Sequence, residues 1–281
     1  MILIADSGST KTDWALVGAA ERPVFLQTAG MNPLLHSTEY LQEQIRLAAS
    51  RLPGARQVKA VYFYGAGCWD EVQKTKIRDV LYPYFSVEAA LWVEHDLLGA
   101  ARAVCGRTAG IACILGTGSN SCLYDGENVV DTVPSLGYIL GDEGSGADLG
   151  KHLIQAYFYR ELSQGSALEL RSHLPGEKAT VMEAVYRQPN PNRYLASFAP
   201  FIHQHLEDPF LKAMVMERFC EFLRCHVLKY QHAGALPVHF VGSIAHYFRP
   251  SMLEALKTSR LRSGQFLRRP IEALITFHQP S

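Results

Sequence analysis

Residues 6–13 read Asp6-Ser7-Gly8-Ser9-Thr10-Lys11-Thr12-Asp13 and follow a short apolar run at 1–5. Gly8 permits a tight turn, and the small residues around it, Ser9 among them, leave backbone N–H groups to face phosphate oxygens. Thr10 and Thr12 offer hydroxyl donors and Lys11 a positive charge. Asp6, at the strand end, is placed to hold Mg²⁺, usually through its waters. An ordinary polar hairpin tip is the alternative for this segment alone. The run is not a P-loop, because G-x-x-x-x-G-K-[ST] is missing. Residues 116–121, Gly116-Thr117-Gly118-Ser119-Asn120-Ser121, form a second small-residue turn rich in hydroxyls. They fail as a dinucleotide fingerprint: Ser121 replaces the third glycine, and a strand follows where a helix should open. Two such tips on duplicated domains would clamp one nucleoside triphosphate.

Three further clusters carry chemistry. Gly141-Asp142-Glu143-Gly144-Ser145-Gly146 sets two carboxylates among glycines ahead of an apolar helix. It suits substrate hydroxyls or a metal, or else it is a helix-capping loop. Glu94-His95-Asp96 ends a strand-like run, where ligands of open α/β sheets gather, so a carboxylate there is placed to act as a base. His95 reads as structural. In Val241-Gly242-Ser243-Ile244-Ala245 the bare glycine would let an adenine ring stack on backbone. Cys220 and Cys225, beside His226, lack a second ligand pair and read as core.

The elements that must position these residues follow from periodicity. Strands are expected at 1–5, 14–17, 24–28, 60–64 and 89–93, with 6–13 as a hairpin tip. Helices are expected at 39–52, 71–82 and 97–104. The pattern then restarts: strands at 110–115 and 122–124 flank the second tip, roughly one domain length (~100 residues) after the first. Residues 149–230 read as mostly helical, 238–241 as a strand, and 242–243 as a turn toward a helix around 252–256. Residues 189–192 and 259–264 are the most loop-like. The class is α/β, with two related domains, 1–107 and 108–265, a boundary near 106–110, and a tail at 266–281 that packs back on the first.

Of 281 residues 48% are hydrophobic and 19% charged, which excludes a disordered chain. No run approaches the ~20 apolar residues of a membrane span. Lys+Arg and Asp+Glu are both 27, so no global basic field exists to grip nucleic acid. The start has no basic leader region and does not read as a signal peptide. Six cysteines are too few for a disulfide scaffold, and a reduced cytoplasm is the simplest setting.

Residues 6–14, 116–121, 141–146 and 242–245, in this order and spacing, resemble the actin-like ATPase superfamily shared by sugar kinases and actin. Within it the chain resembles the BadF/BadG ATPase-type family, in its N-acetylglucosamine kinase branch; DSGSTKT, GTGSNS and GDEGSG are the specific runs. The resemblance implies two ribonuclease-H-like domains closing a cleft on Mg-ATP and a hexosamine, the second domain bearing a large helical insertion. It implies that residues 6–12 and 116–121 bind phosphates, that Gly242 and Ser243 bind adenosine, and that Asp96 is the catalytic base. It implies that Asn32, Thr117, Asp142 and Glu143 bind sugar, with Asp96, and that Asp6 assists the metal. Ser7 and Ser9 stand where many relatives have glycine, and one glycine stands at 242 where two are common. The partner implied is a small amino sugar, with no nucleic acid or membrane, and a homodimer is left open. Two other readings stand beside the kinase. One is an ATPase activator of a radical 2-hydroxyacyl-CoA dehydratase, which needs interface cysteines, Cys68 and Cys105 being the ones considered. The other is a non-catalytic ATP or sugar sensor, which would need no base.

Overall fold

The computed structural model describes residues 1–85, 90–174 and 176–279. Strand β1 (Ile2–Ser7) is apolar on both faces because both are covered: Leu3, Ile4 and Ala5 are fully buried. It pairs antiparallel with β2 (Lys11–Val17), which pairs antiparallel with β3 (Val24–Ala29). Helix α1 (Thr38–Arg51) carries the chain back, capped where Ser37 accepts a hydrogen bond from the Tyr40 N–H at 3.3 Å. Its Leu41, Ile45 and Ala48 form the buried stripe of a 3.6-residue period. Strand β4 (Ala60–Gly65) then lies parallel to β1. Helix α2 (Glu71–Leu81) leads to β5 (Ala90–His95), parallel to β4, and α3 (Asp96–Cys105) follows at once. The sheet order is β3-β2-β1-β4-β5. Trp14 is fully buried beneath it, with its indole N–H donated to Thr28 Oγ1 at 3.0 Å and its ring edge-on to Phe63.

The second sheet repeats that order. Strands β6 (Gly110–Leu115) and β7 (Ser119–Tyr124) form a hairpin, with β8 (Val129–Thr132) on its outer side. Among the described residues seven α-helices follow before the next strand: α4 (Gly137–Leu140), α5 (Gly146–Tyr159), α6 (Gln164–His173), α7 (Lys178–Tyr186), α8 (Pro191–Ala196), α9 (Ala199–Gln204) and α10 (Pro209–Cys225). Strand β9 (Pro237–Val241) lies parallel to β6. Helices α11 (Ser243–Tyr247) and α12 (Arg249–Thr258) lead to β10 (Arg262–Leu267), parallel to β9. The order β8-β7-β6-β9-β10 is therefore that of the first sheet with its strands renumbered. Where the first sheet uses α1 to cross from its third strand to its fourth, the second uses the whole α4–α10 array. This is the helical insertion expected for the α/β fold.

The chain divides into two compact units, one of residues 1–107 with the segment from Arg269 onward, the other Thr108–Arg268. Helix α13 (Ile271–His278) brings the C-terminal segment onto α3, β1 and β2 of the first unit. There, the His278 ring stacks on Tyr62 and shares a 2.8 Å hydrogen bond with the Tyr64 hydroxyl. No helix among the described residues is long and apolar enough to cross a membrane.

Several local expectations need correction. Residues 259–264 are not simply a loop, because β10 begins at Arg262; it is a polar edge strand with a register shift between Ser263 and Phe266, so it lacks an apolar alternation. Helix α8 opens at Pro191, inside the stretch read as loop-like, with proline in its first turn. The helix expected around 252–256 is α12, and the short α11 precedes it where only a turn was expected. Residue 89, the expected start of a strand, lies outside the described residues, and β5 extends through Glu94 and His95.

Candidate active site

The antiparallel register sets Asp6 opposite Asp13 and Ser7 opposite Thr12, and Gly8 N–H closes the turn onto the Lys11 carbonyl at 3.0 Å. The two hydroxyls beside this turn face inward. Ser7 Oγ and Thr12 Oγ1 are 2.8 Å apart; Ser7 also bonds the carbonyl and the N–H of Met31, both at 3.1 Å, and Thr12 donates to the Ala29 carbonyl at 3.0 Å. Both residues are fully buried. The Thr12 side chain therefore anchors the turn, leaving Ser9, Thr10 and Lys11 toward solvent. Lys11 is ion-paired with Asp13, which also accepts from Gln27 at 2.6 Å.

The same anchoring delivers Asn32. Its side-chain oxygen accepts the Leu34 N–H at 2.9 Å, and its backbone N–H donates to His36 Nδ1 at 3.1 Å. The loop after β4 packs against it: Gly67, at φ +81°, has no room for a side chain, since a Cβ would lie 2.2 Å from Asn32 Oδ1.

Parallel pairing of β1, β4 and β5 brings their carboxyl ends level, with Asp6 opposite Tyr64 and Tyr64 opposite Glu94. Asp96 follows directly in the first turn of α3. Burial pushes its carboxyl up to about 6, opposed by hydrogen bonds from the Leu97 N–H and its own. Burial pushes Asp6 up to about 7, reinforced by the negative charges of Asp96 and Asp13 and only partly opposed by Lys11. Two buried carboxyls with raised values near the ends of β1 and β5 mark a candidate functional site. His95 caps nothing with its side chain; its ring stacks on Trp69, and burial pushes it down to about 4.

In the second unit the β6–β7 turn closes through Gly116 N–H to the Gly118 carbonyl at 3.0 Å. The first N–H groups of α5 dock on it, Gly146 onto the Gly116 carbonyl at 2.8 Å and Ala147 onto that of Thr117 at 3.1 Å. Asp142, in left-handed conformation at φ 57°, accepts from the Ser119 N–H at 3.2 Å and the Ser135 hydroxyl at 3.1 Å; burial raises its carboxyl above the ordinary range. Glu143 lies 3.2 Å from His226 Nε2. Ser119 Oγ and His226 Nδ1 are buried without a partner among the described residues. Asp148, which sequence reading passed over, meets His152 Nδ1 at 3.3 Å, Arg218 at 2.9 Å and the Gly144 N–H at 2.9 Å, and against the effect of burial these partners keep its carboxyl far below the usual range.

Gly242 stands at φ +121°, and a Cβ there would lie 2.2 Å from the Leu115 carbonyl oxygen. The glycine thus lets the end of β9 pass over the end of β6, so that α11 starts beside the β6–β7 turn. Between them is a cavity of about 430 Å³ that brings Gly116, Thr117 and Ser243 together. Its remaining wall includes Pro200, His203 and Gln204 of α9 and Tyr247 of α11. Sequence motifs missed these four. The only available signal was helical spacing, 200 with 203 and 204, and 243 with 247. Gly118 and Ser119 face Asp142 instead.

No protein-family model matches the chain, and no curated protein matches it. Solved structures do. A protein from Porphyromonas gingivalis described as "Putative N-acetylglucosamine Kinase" shares 42% identity over 99% of this chain and 98% of its own, with a TM-score of 0.93. One of the same description from Chromobacterium violaceum shares 18% over 99% and 98%, with a TM-score of 0.73. A ROK family glucokinase from Streptomyces griseus, solved with glucose and AMPPNP, shares 14% over 98% and 97%, with a TM-score of 0.57, a likeness of fold. Near-complete overlap at 42% identity, on two sheets of one repeated order, is decisive: the chain belongs to the family of the Porphyromonas gingivalis protein.

Proposed function

We propose that the protein is a sugar kinase that transfers the γ-phosphate of ATP to an amino sugar, with N-acetylglucosamine as acceptor and its 6-hydroxyl as nucleophile. The observation that carries this reading is the Asp6–Asp96 pair, two carboxyls at strand ends raised to about 7 and about 6. Kinship with the Porphyromonas gingivalis protein supports the choice of acceptor.

Asp96 is the general base. At neutral pH a carboxyl of value about 6 is ionised yet basic enough to accept the hydroxyl proton as oxygen attacks phosphorus and ADP leaves. The exocyclic 6-hydroxyl is the least hindered nucleophile. Asn32, Thr117, Asp142 and Glu143 are assigned to sugar hydroxyls and the acetamido group. Gly8, Ser9, Thr10 and Lys11 are assigned to the phosphates, as are Gly116, Thr117, Gly118 and Ser119. Thr12 holds the first turn in shape. The cavity at Gly116, Thr117 and Ser243 has the apolar walls and few polar groups that suit an adenosine.

Asp6, with Asp13 and Asp96 acting on it and only Lys11 in opposition, is a hard-oxygen site with surplus negative charge, and it fits Mg²⁺. Bound there, the ion would neutralise phosphate charge during transfer. Asp6 is the residue that would hold it, usually through the waters of the ion. Cys68 and Cys105 are buried, and burial pushes both thiols up to about 12, the opposite of the thiolates that a cluster-bearing activator needs. The six cysteines form no disulfide, which suits a reducing cytoplasm.

The test is ADP release with Mg-ATP across a panel of hexoses and amino sugars. N-acetylglucosamine should give the highest kcat/KM. ADP release that no sugar stimulates would refute the assignment.

A further inference from the structure

Trp69 is 46% exposed although both its neighbours are fixed. Cys68 is fully buried, with its N–H bonded to the Gly65 carbonyl at 3.2 Å, and Asp70 caps α2 by accepting the Gln73 N–H at 2.9 Å. The loop 65–69 touches Asn32 through Gly67. It also runs beside Asp96, whose charge bears on the Cys68 thiol. A large apolar ring is thus held out of the core on a short anchored loop whose Gly67 meets Asn32 and whose Cys68 lies near Asp96, two residues assigned to the sugar.

What backs the ring is also specific. The indole stacks on the His95 imidazole with centroids 4.4 Å apart and planes at 18°, and His95 is the residue before Asp96. Burial keeps the imidazole neutral, so the pair is an uncharged aromatic stack fixed to the strand that delivers the base. A hexopyranose has polar edges and a face of C–H groups, and an exposed indole face complements that face while leaving every hydroxyl to polar partners.

We infer that Trp69, stacked on His95, is a substrate-binding platform on which the C–H face of the acceptor sugar rests beside Asp96. This rests on the sugar-kinase reading and adds a residue to it. Trp69 is not asked to take part in proton transfer. Its contribution is binding in ground state and transition state alike, which appears in KM and not in kcat.

The experiment compares wild type with W69A and W69F using N-acetylglucosamine and Mg-ATP, together with intrinsic fluorescence on titrating N-acetylglucosamine alone. W69A should raise the sugar KM about 10–100-fold with kcat within about twofold and the ATP KM unchanged. W69F should recover most of the loss. Fluorescence should change on sugar addition in wild type and not in W69F, where Trp14 and Trp92 remain. An unchanged sugar KM in W69A, or a fall in kcat and melting temperature that W69F does not rescue, would overturn the platform. If wild type phosphorylates no sugar, the kinase reading itself fails, an outcome distinct from either.

Discussion

At Asp96 two opposed influences set the chemistry. Burial disfavours the charged carboxylate, while N–H groups in the first turn of α3 favour it, leaving a value of about 6. The sugar-dependent kcat/KM should therefore rise with pH and level off above about 6. D96N keeps the shape of the side chain but cannot take the proton; it should cost about 10²–10⁴-fold in kcat, flatten that limb, and leave ATP affinity nearly unchanged. Near-normal turnover with a lowered melting temperature would make Asp96 a helix-end residue only. Asp6 gives a second test, read without turnover. Its folded value, about 7, exceeds the ordinary 3.8, so the folded state holds a proton that the unfolded state has lost between those values. Stability from this group is present below pH 4 and falls as pH rises through 7. Mg²⁺ should raise the melting temperature more at pH 8 than at pH 5, and D6N should remove that difference and be more stable than wild type at pH 8 without metal. An equal Mg²⁺ shift in D6N would place the ion elsewhere.

At the scale of elements, each sheet uses a tight hairpin to present small residues and a parallel crossover to bring a further strand end alongside. In the second unit the crossover works only because Gly242 adopts φ +121° against the Leu115 carbonyl. G242A should lose about 1–3 kcal/mol from backbone strain, with more from the clash. It should also weaken ATP binding by displacing Ser243, both checked by thermal melting and calorimetry. Wild-type affinity for ATP would detach the cavity from the nucleotide. The central strands and both hairpin tips were legible because apolar runs ending in Gly, Ser and Thr leave few alternatives. Strands β8 and β10 were not, since they are edge strands whose polar residues carry no alternation. Nor could the inward turn of Thr12 be read, because its direction depends on Ser7, Ala29 and Met31. His203 and Gln204 reach the cavity from α9, about 85 residues beyond the Gly116 turn, a distance that no local motif spans.

For the molecule as a whole, the repeated sheet order explains how one chain carries two kinds of chemistry. The first unit gathers carboxylates at the ends of β1 and β5; the second, with its helices between β8 and β9, builds an apolar cavity beside a hydroxyl-rich turn. In the proposed reaction phosphate leaves ATP for a sugar oxygen and not for water. The most direct measurement follows ³¹P NMR signals from ATP, Mg²⁺ and N-acetylglucosamine with catalytic protein. Transfer to the sugar should yield ADP and a sugar 6-phosphate ester in equal amounts, with little inorganic phosphate. ADP accompanied by equal inorganic phosphate, with the sugar unchanged, would contradict it.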